Sequence, residues 1–258
     1  MDDERLNDPA LLDEVVRLAR AAGELVMTLY ATDFAVRGKP DASPVTEADE
    51  QAEALITRGL RALAPEVAIV AEEAVAGGDC PVVGRWFWLV DPLDGTREFI
   101  SRNGEFTVNI ALVRDGEPVL GVVFAPALGR LFAGVAGRGA HVFDGAAARA
   151  IRCRAVPAQG LAVLASRSHG DAAALDAFLA GRRVASVASA GSSLKLCLIA
   201  AGEADLYPRF GRTMEWDIAA GHAVLAAAGG QVETLTGAPL RYGKAGFENP
   251  HFVAIGAG

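Results

Sequence analysis

Asp91 and Asp94 stand three residues apart in the string Asp91-Pro92-Leu93-Asp94-Gly95-Thr96, directly after the apolar run Trp86-Phe87-Trp88-Leu89-Val90. A buried strand ending there delivers two carboxylates, a rigid proline, a glycine and a hydroxyl at a single turn. Carboxylate oxygens are hard ligands and suit Mg²⁺. The two side chains can converge across a tight turn, and the Leu93 carbonyl between them could add another oxygen. Gly95-Thr96 would begin a helix, with backbone N–H donors placed where a phosphate could dock. An Asp-x-x-Asp-Gly turn by itself is an ordinary structural turn. Glu72-Glu73 upstream and Trp216-Asp217 far downstream make it look like part of one multi-metal site. That combination points to hydrolysis of a phosphate ester.

The elements that must position these groups can be read from periodicity. Leu11, Leu12, Val15, Val16, Leu18, Leu25, Val26 and Leu29 recur at helical spacing, which predicts a helix from Pro9 to Tyr30. Arg37 to Pro44 is polar, contains Gly and Pro, and reads as a loop. Thr46 with Asp49 three residues on is a helix-opening pattern, and that helix runs to about Leu63. Ala68 to Ala71 is a short strand that delivers Glu72, and Trp86 to Val90 another that delivers Asp91. Phe106 to Val113 and Pro118 to Ala125 are apolar runs split by Arg114-Asp115-Gly116-Glu117, a hairpin signal. Leu131 to Val135 and Ala140 to Phe143 extend what should be an antiparallel sheet, with the first two helices against one face.

Around Ala146 to Pro157 the pattern changes, and strands then alternate with helices. Strands are expected at Leu161 to Ala165, Val184 to Ala188 and Ala204 to Tyr207. Helices are expected at Asp171 to Ala180, Ser193 to Ala201 and Glu215 to Ala228, the last stopped by Gly229-Gly230. The expected organisation is an N-terminal α+β half, residues 1–148, with most of the metal ligands. A C-terminal α/β half, residues 149–258, carries the last ligand and the substrate-binding residues.

The chain has 258 residues and is 52% hydrophobic, enough for a large buried core rather than disorder. Its formal net charge is −8, which argues against a polymeric nucleic acid as partner. An acidic protein acting on an anionic substrate must supply positive charge locally, through bound metals or a few placed Lys and Arg. Cys80, Cys153 and Cys197 are odd in number and scattered, so they read as reduced thiols of a cytoplasmic protein rather than a disulfide framework. The N-terminus is acidic and lacks a signal-peptide pattern. No apolar run reaches the ~18 residues of a membrane span. His141, His169, His222 and His251 fall in none of the motifs.

Asp91-Pro92-Leu93-Asp94-Gly95-Thr96, Glu72-Glu73, and Trp216-Asp217-Ile218-Ala219-Ala220-Gly221 with a later Ala228-Gly229-Gly230 together resemble the inositol monophosphatase superfamily. The likeness runs from about Ala10 to Phe252. It implies a layered αβαβα sandwich of mixed α+β and α/β character, and a lithium-sensitive phosphatase that uses two or three Mg²⁺ ions. Carried over by motif position, Glu72, Asp91, Asp94 and Asp217 resemble the side-chain metal ligands, and the Leu93 carbonyl another. Thr96, with Glu72, would orient the attacking water. Gly95 and Thr96 amides would cradle the phosphate. Asp49 resembles the carboxylate that polarises this network, although its place at a helix start also makes it a capping residue. Asp217 has a comparable second reading, since a carboxylate in a first helical turn is favoured by the helix dipole. The resemblance leaves room for a homodimer and for peripheral attachment at the inner membrane face.

The second half carries the substrate signals. Gly191-Ser192-Ser193-Leu194-Lys195 and Leu206-Tyr207-Pro208-Arg209-Phe210-Gly211, with Glu98-Phe99 after the metal turn, resemble the bacterial 3'(2'),5'-bisphosphate nucleotidase branch. Arg97 stands where that branch often has Lys. The implied substrate is a small phosphorylated nucleotide: adenosine 3',5'-bisphosphate, cleaved to AMP and phosphate, and also its sulfated analogue 3'-phosphoadenylyl sulfate, within sulfur metabolism. One phosphate goes to the metals. Gly191, Ser192, Ser193, Lys195, Arg209 and Asp217 are the candidates for holding the rest. Lys195 on a solvated helix face and Arg209 as a surface charge are the plainer readings. Lys39 resembles a loop residue over the metal site. Phe210 occupies the position, seven before Asp217, at which inositol monophosphatases carry an acid for the sugar hydroxyls. Its ring counts against inositol phosphate, and it could pack near a base or simply in the core. The rival expectations are an inositol or fructose-1,6-bisphosphatase-like sugar phosphatase, and a non-catalytic nucleotide-binding protein on the same fold.

Overall fold

The computed structural model describes residues 1–38, 44–145, 147–166 and 171–257. Lys39 and His169 lie outside the described residues. The chain opens with α1 (Asp3–Asn7) and α2 (Pro9–Tyr30), then β1 (Val36–Gly38), β2 (Pro44–Thr46) and α3 (Glu47–Leu63). Next come β3 (Ala68–Ala71), α4 (Glu72–Ala76), β4 (Trp86–Asp94), α5 (Thr96–Ile100), β5 (Thr107–Arg114), β6 (Glu117–Ala125), β7 (Arg130–Val135), β8 (Gly139–Asp144) and β9 (Ala147–Ile151). The remainder is β10 (Leu161–Ser166), α6 (Ala172–Leu179), β11 (Val184–Ala190), α7 (Leu194–Ala200), β12 (Leu206–Arg209), α8 (Glu215–Ala227), β13 (Gln231–Thr234) and β14 (Phe252–Ile255). Among the described residues no helix is long and apolar enough to cross a membrane.

Strands β3 to β9 form one seven-stranded sheet in sequence order, antiparallel apart from the β3–β4 pair. The hairpin between β5 and β6 turns at Asp115 and Gly116, both at positive φ (51° and 76°), the combination that suits right-twisted strands. The second sheet has the order β11-β10-β12-β14-β13. Its β14 runs antiparallel between β12 and β13, so this half is mixed rather than a plain alternation of parallel strands and helices.

The layers follow from which faces are apolar. Leu11, Val15, Leu18, Ala22 and Val26 of α2 and Ala48, Ala52, Ile56 and Leu60 of α3 pack with Trp88, Val90, Ile110 and Leu112 on the outer face of the first sheet. The opposite face, with Phe87, Leu89, Ala111 and Val113, meets α7, α8 and the second sheet. Outside the second sheet, Leu175, Phe178 and Leu179 of α6 cover Val163, Leu206 and Val253. The result is the αβαβα sandwich.

Helix α8 is the innermost layer, and it is rich in Ala and Gly all round, as a helix buried on every side requires. It lies directly on the sheet backbone. A Cβ at Gly121 of β6 would stand 2.2 Å from the Ala220 carbonyl oxygen. On the opposite flank a Cβ at Gly221 would meet Ser193 Oγ at 2.6 Å and Leu196 Cβ at 3.0 Å. Small residues therefore seat α8 against the sheet and α7 against α8, which brings the starts of both helices beside the end of β4.

Two expectations need correction. Arg37, Gly38 and Pro44, read as loop, belong to the antiparallel β1–β2 ribbon, in which Gly38 pairs with Pro44. Each of these strands is three residues long, and β1 is exposed throughout, so neither shows the alternation that marks a longer half-buried strand. The change of pattern near Ala146 also concealed β9. This strand crosses the expected 148/149 boundary as the last strand of the first sheet, and its residues 147–150 are exposed, so it lacks the alternation that betrays a half-buried strand.

Candidate active site

β4 does not stop at Val90 but continues to Asp94. Asp91 pairs with Asn109 and Asp94 with Thr107, so three steps on one strand oppose two on the other. This bulge absorbs Pro92, which cannot donate to a ladder, and re-aims both carboxylates at the end of the sheet. The Leu93 amide donates to Asp91 Oδ1 at 3.0 Å and fixes the turn. Gly95 then takes φ 90°, the left-handed conformation glycine adopts freely, and caps α5.

Glu72, Asp91, Leu93, Asp94, Gly95, Thr96, Gly191, Ser192, Lys195, Arg209 and Asp217 all line one cavity of about 510 Å³ between the two sheets. Asp217 sits in the first turn of α8, where its Oδ2 accepts the Met214 amide at 2.8 Å. The Ser193 amide donates to Asp94 Oδ2 at 2.7 Å. Thr96 Oγ1 lies 3.2 Å from Asp49 Oδ1 and 3.3 Å from the Leu93 carbonyl oxygen. Asp49 caps α3 and also touches Thr96. Its Oδ2 accepts the Thr46 amide and hydroxyl, closing a capping box, while Oδ1 reaches Thr96.

Two of the carboxyls, Asp94 and Asp217, hold their protons more tightly than usual. Burial pushes Asp94 up to about 6, helped by the charges of Glu72 and Glu98, against the pull of Lys195 and the Ser193 amide. Burial, Asp94 and Glu72 push Asp217 well above the usual carboxylate range. Burial lowers Lys195 to about 8, aided by Arg209, while Asp94, Glu98 and Glu105 hold its proton on.

Among the described residues no group of three or more His, Cys, Asp or Glu side chains is drawn together tightly enough to grip a metal as it stands. The donor set nevertheless fits Mg²⁺. It consists of hard oxygens from four acidic side chains and one carbonyl facing a shared cavity, and the like charges destabilise each other in a way that a dication removes. Asn109, whose Nδ2 approaches Asp94, has a buried Oδ1 with no hydrogen-bond partner among the described residues.

Lys195 and Arg209 are not surface charges. Lys195 is buried, with Nζ donating to the Ala190 and Ser192 carbonyl oxygens at 3.0 and 2.7 Å and lying 5.0 Å from the Tyr207 ring centre. Arg209 is buried too. It donates to Ser166 Oγ at 2.7 Å, to the Arg212 carbonyl at 2.8 Å and to the Gly211 carbonyl at 3.2 Å. Ser192 is held at φ 45° with a buried Oγ that has no partner among the described residues. Such strain gathers where function needs it. Ser193 faces away from the cavity. Its Oγ points at Gly221, and its contribution is the amide on Asp94. Phe210 does not line the cavity, and packs on Phe178 and His251 with ring centres 5.8 and 6.2 Å apart.

The chain matches the model of the inositol monophosphatase family over residues 9–252. It belongs to that family. A relative from Shigella flexneri, named 3'(2'),5'-bisphosphate nucleotidase CysQ, is 46% identical over 245 residues, covering 94% of this chain and 98% of that protein. The Buchnera aphidicola protein of the same name is 40% identical, covering 95% and 93%. The crystal structure of Bacteroides thetaiotaomicron CysQ superposes with a TM-score of 0.80 at 36% identity, covering 96% and 97%. An inositol monophosphatase from Thermotoga maritima gives 0.79 at 28% identity, covering 95% and 92%. Asn109, which the sequence did not single out, touches the site from behind the cavity lining. Its Nδ2 lies 3.5 Å from Asp94 Oδ2 and 3.4 Å from the Asp217 carbonyl, bridging the two halves. The signal was there: a lone amide inside the strand Thr107-Val108-Asn109-Ile110-Ala111-Leu112 has to satisfy its polar atoms somewhere.

Proposed function

We propose that this member of the inositol monophosphatase family is a 3'(2'),5'-bisphosphate nucleotidase that hydrolyses the 3'-phosphate of adenosine 3',5'-bisphosphate to AMP and phosphate. The observation that carries this reading is the joining, in one cavity, of the acidic turn at the end of β4 with the buried cations Lys195 and Arg209. A substrate with two phosphates needs two kinds of site, one acidic and able to hold metal, and one cationic. The relatives' name agrees with it.

Glu72, Asp91, the Leu93 carbonyl, Asp94 and Asp217 would hold Mg²⁺, which would activate a water and stabilise negative charge on the phosphoryl and leaving oxygens. The protein's own groups then have distinct tasks. Asp49 Oδ2 accepts from Thr46, and its Oδ1 accepts the hydrogen bond of the Thr96 hydroxyl. That leaves the lone pairs of Thr96 Oγ1 to accept from a water, and with Glu72 they orient it for attack. Water adds to phosphorus, the bond to the 3'-oxygen breaks, and that oxygen gains a proton to become the hydroxyl of AMP. Gly95 and Thr96 amides cradle the phosphate, while Gly191, Ser192, Lys195 and Arg209 hold the second one. The sulfated analogue keeps the same 3'-phosphate and is accepted as well. Ser193 acts through Asp94. The two halves of the chain, the first closing with β9, each bring part of this site, and it works in the cytoplasm.

The test is phosphate release with Mg²⁺ from adenosine 3',5'-bisphosphate and from inositol 1-phosphate, with and without lithium. Strong preference for the nucleotide, lost with lithium, is expected. Preference for inositol phosphate keeps the metal site and overturns the nucleotide assignment.

A further inference from the structure

Glu53 lies on α3 one helical turn after Asp49, on the same face of the helix. It is a carboxylate only 8% exposed. Its Oε2 accepts the Glu73 amide at 2.7 Å and its Oε1 the Ala74 amide at 2.9 Å. These two amides open α4, whose N-cap, Ala71, makes no side-chain hydrogen bond. First-turn N–H groups have no acceptor within their own helix, so Glu53 supplies from outside what an Asp or Ser cap supplies elsewhere. α4 has five residues, too few to hold its own direction in isolation. The bonds from Glu53 fix the peptide that joins Glu72 to Glu73, and with it the direction in which the Glu72 side chain leaves the backbone. Of the pair Glu72-Glu73, it is Glu72 that lines the cavity.

We propose that Glu53 is a positioning residue for Glu72, and that one face of α3 sets the two groups flanking the attacking water in register: Thr96 through Asp49, and Glu72 through Glu53. The inference rests on the phosphatase reading above. A carboxylate suits the task because it offers one oxygen to each amide and places negative charge at a helix start. A glutamine offers one oxygen and turns an NH₂ group on the other N–H. Asp49 and Glu53 belong to one rigid helix, so a shift of α3 moves both anchors together and preserves their separation.

The test compares Glu53→Gln, Glu72→Gln and the unaltered full chain. Mg²⁺ binding is followed by calorimetry without substrate, then kcat and KM on adenosine 3',5'-bisphosphate. The expected result for Glu53→Gln is Mg²⁺ binding weakened about tenfold and kcat lowered to a similar degree, the scale typical of residues that orient a metal ligand. KM for the nucleotide should stay within about twofold, because Glu53 does not line the cavity that holds Lys195 and Arg209. Wild-type Mg²⁺ affinity and kcat, with only a lower Tm, overturn the proposal and leave Glu53 a helix cap. If Glu72→Gln also leaves both unchanged, the metal-site reading itself falls. Should Glu53→Gln fail to fold, hydrogen exchange on the unaltered protein decides. Protected Glu73 and Ala74 amides support the clamp, and exchange at free-peptide rates overturns it.

Discussion

Ser193 donates its backbone N–H to Asp94 Oδ2 at 2.7 Å across 99 positions of sequence. The contact joins the bulged end of β4 to the start of α7, so the two sheets are tied together at a carboxylate of the cavity. It also explains why the serine pair divides its work. Ser192 lines the cavity, while Ser193 turns its hydroxyl toward Gly221 and offers only an amide.

Asp94→Asn tests the cost of this arrangement. An asparagine keeps an oxygen for the Ser193 amide but removes a charge that burial, Glu72 and Glu98 all destabilise. The folded protein raises the carboxyl's affinity for protons, so ionisation opposes folding as pH rises from the unfolded value through the folded one. Without divalent metal, Asp94→Asn should therefore be more stable than the unaltered protein at neutral pH, with Tm higher by about 3 °C or more. With Mg²⁺, its phosphatase rate should fall by about three orders of magnitude or more. Near-normal turnover would sink the assignment of Asp94 as a metal ligand.

Lys195→Met asks whether the buried ammonium reads the substrate. Two of its three N–H groups are spent on the Ala190 and Ser192 carbonyls, which leaves one for a phosphate oxygen. Loss of a charge-assisted bond costs about 1.5–3 kcal/mol, so KM for adenosine 3',5'-bisphosphate should rise about tenfold or more. KM for a nucleoside 3'-monophosphate should change by about twofold or less. Equal rises for both substrates would make Lys195 a countercharge for Asp94 instead.

How legible the molecule was depends on the kind of signal each part needs. α2, α3 and α8 were readable nearly to the residue because capping residues and apolar periodicity mark their ends: Pro9, Thr46 and Gly229 all stand where expected. β9 and the β1–β2 ribbon were not, because β9 is exposed over four of its five residues and β1 and β2 are only three residues each, too short to show alternation. The acidic cluster was legible from residue type and motif, yet Asn109 and Glu53 were not, since their roles come from contacts 108 and 20 positions away. Lys195 and Arg209 were named, but their burial was invisible. Nothing in Leu194-Lys195-Leu196 says that the lysine turns back to hold the loop carbonyls before it.

Gly121→Ala probes the seat of α8. The added Cβ would lie 2.2 Å from the Ala220 carbonyl oxygen and 2.8 Å from Ala223 Cβ, and backbone cannot yield as a side-chain tip can. Overpacking of this kind costs about 1–3 kcal/mol. The helix that must move carries Asp217, so activity should fall further than the loss of folded protein accounts for. Gly84→Ala, where a Cβ meets nothing within 4 Å, is the control. Chemical denaturation of both variants, with activity measured on the folded fraction, checks this. Equal stability of the two would mean α8 is not seated on β6 as described.

His222 makes the stability of the fold depend on acid. It is buried in α8, its Nδ1 is 2.8 Å from the Tyr242 hydroxyl, and burial drives its pKa down from 6.5 to about 3. The folded protein therefore keeps the ring neutral while the unfolded chain takes up a proton below about 6.5. The unfolded state binds more protons between those values, so His222's contribution is intact above pH 6.5 and is lost progressively as pH falls toward 3. At pH 5 the loss is about 2 kcal/mol. The double variant His222→Phe with Tyr242→Phe keeps two packed rings and removes both polar partners. Its denaturation free energy should fall less steeply between pH 7 and pH 5, by about 2 kcal/mol over that interval. Identical pH slopes would show that His222 already takes up its proton in the folded state. Water would then have to reach the ring beneath α8, and the close packing of that helix between the sheets would be in error.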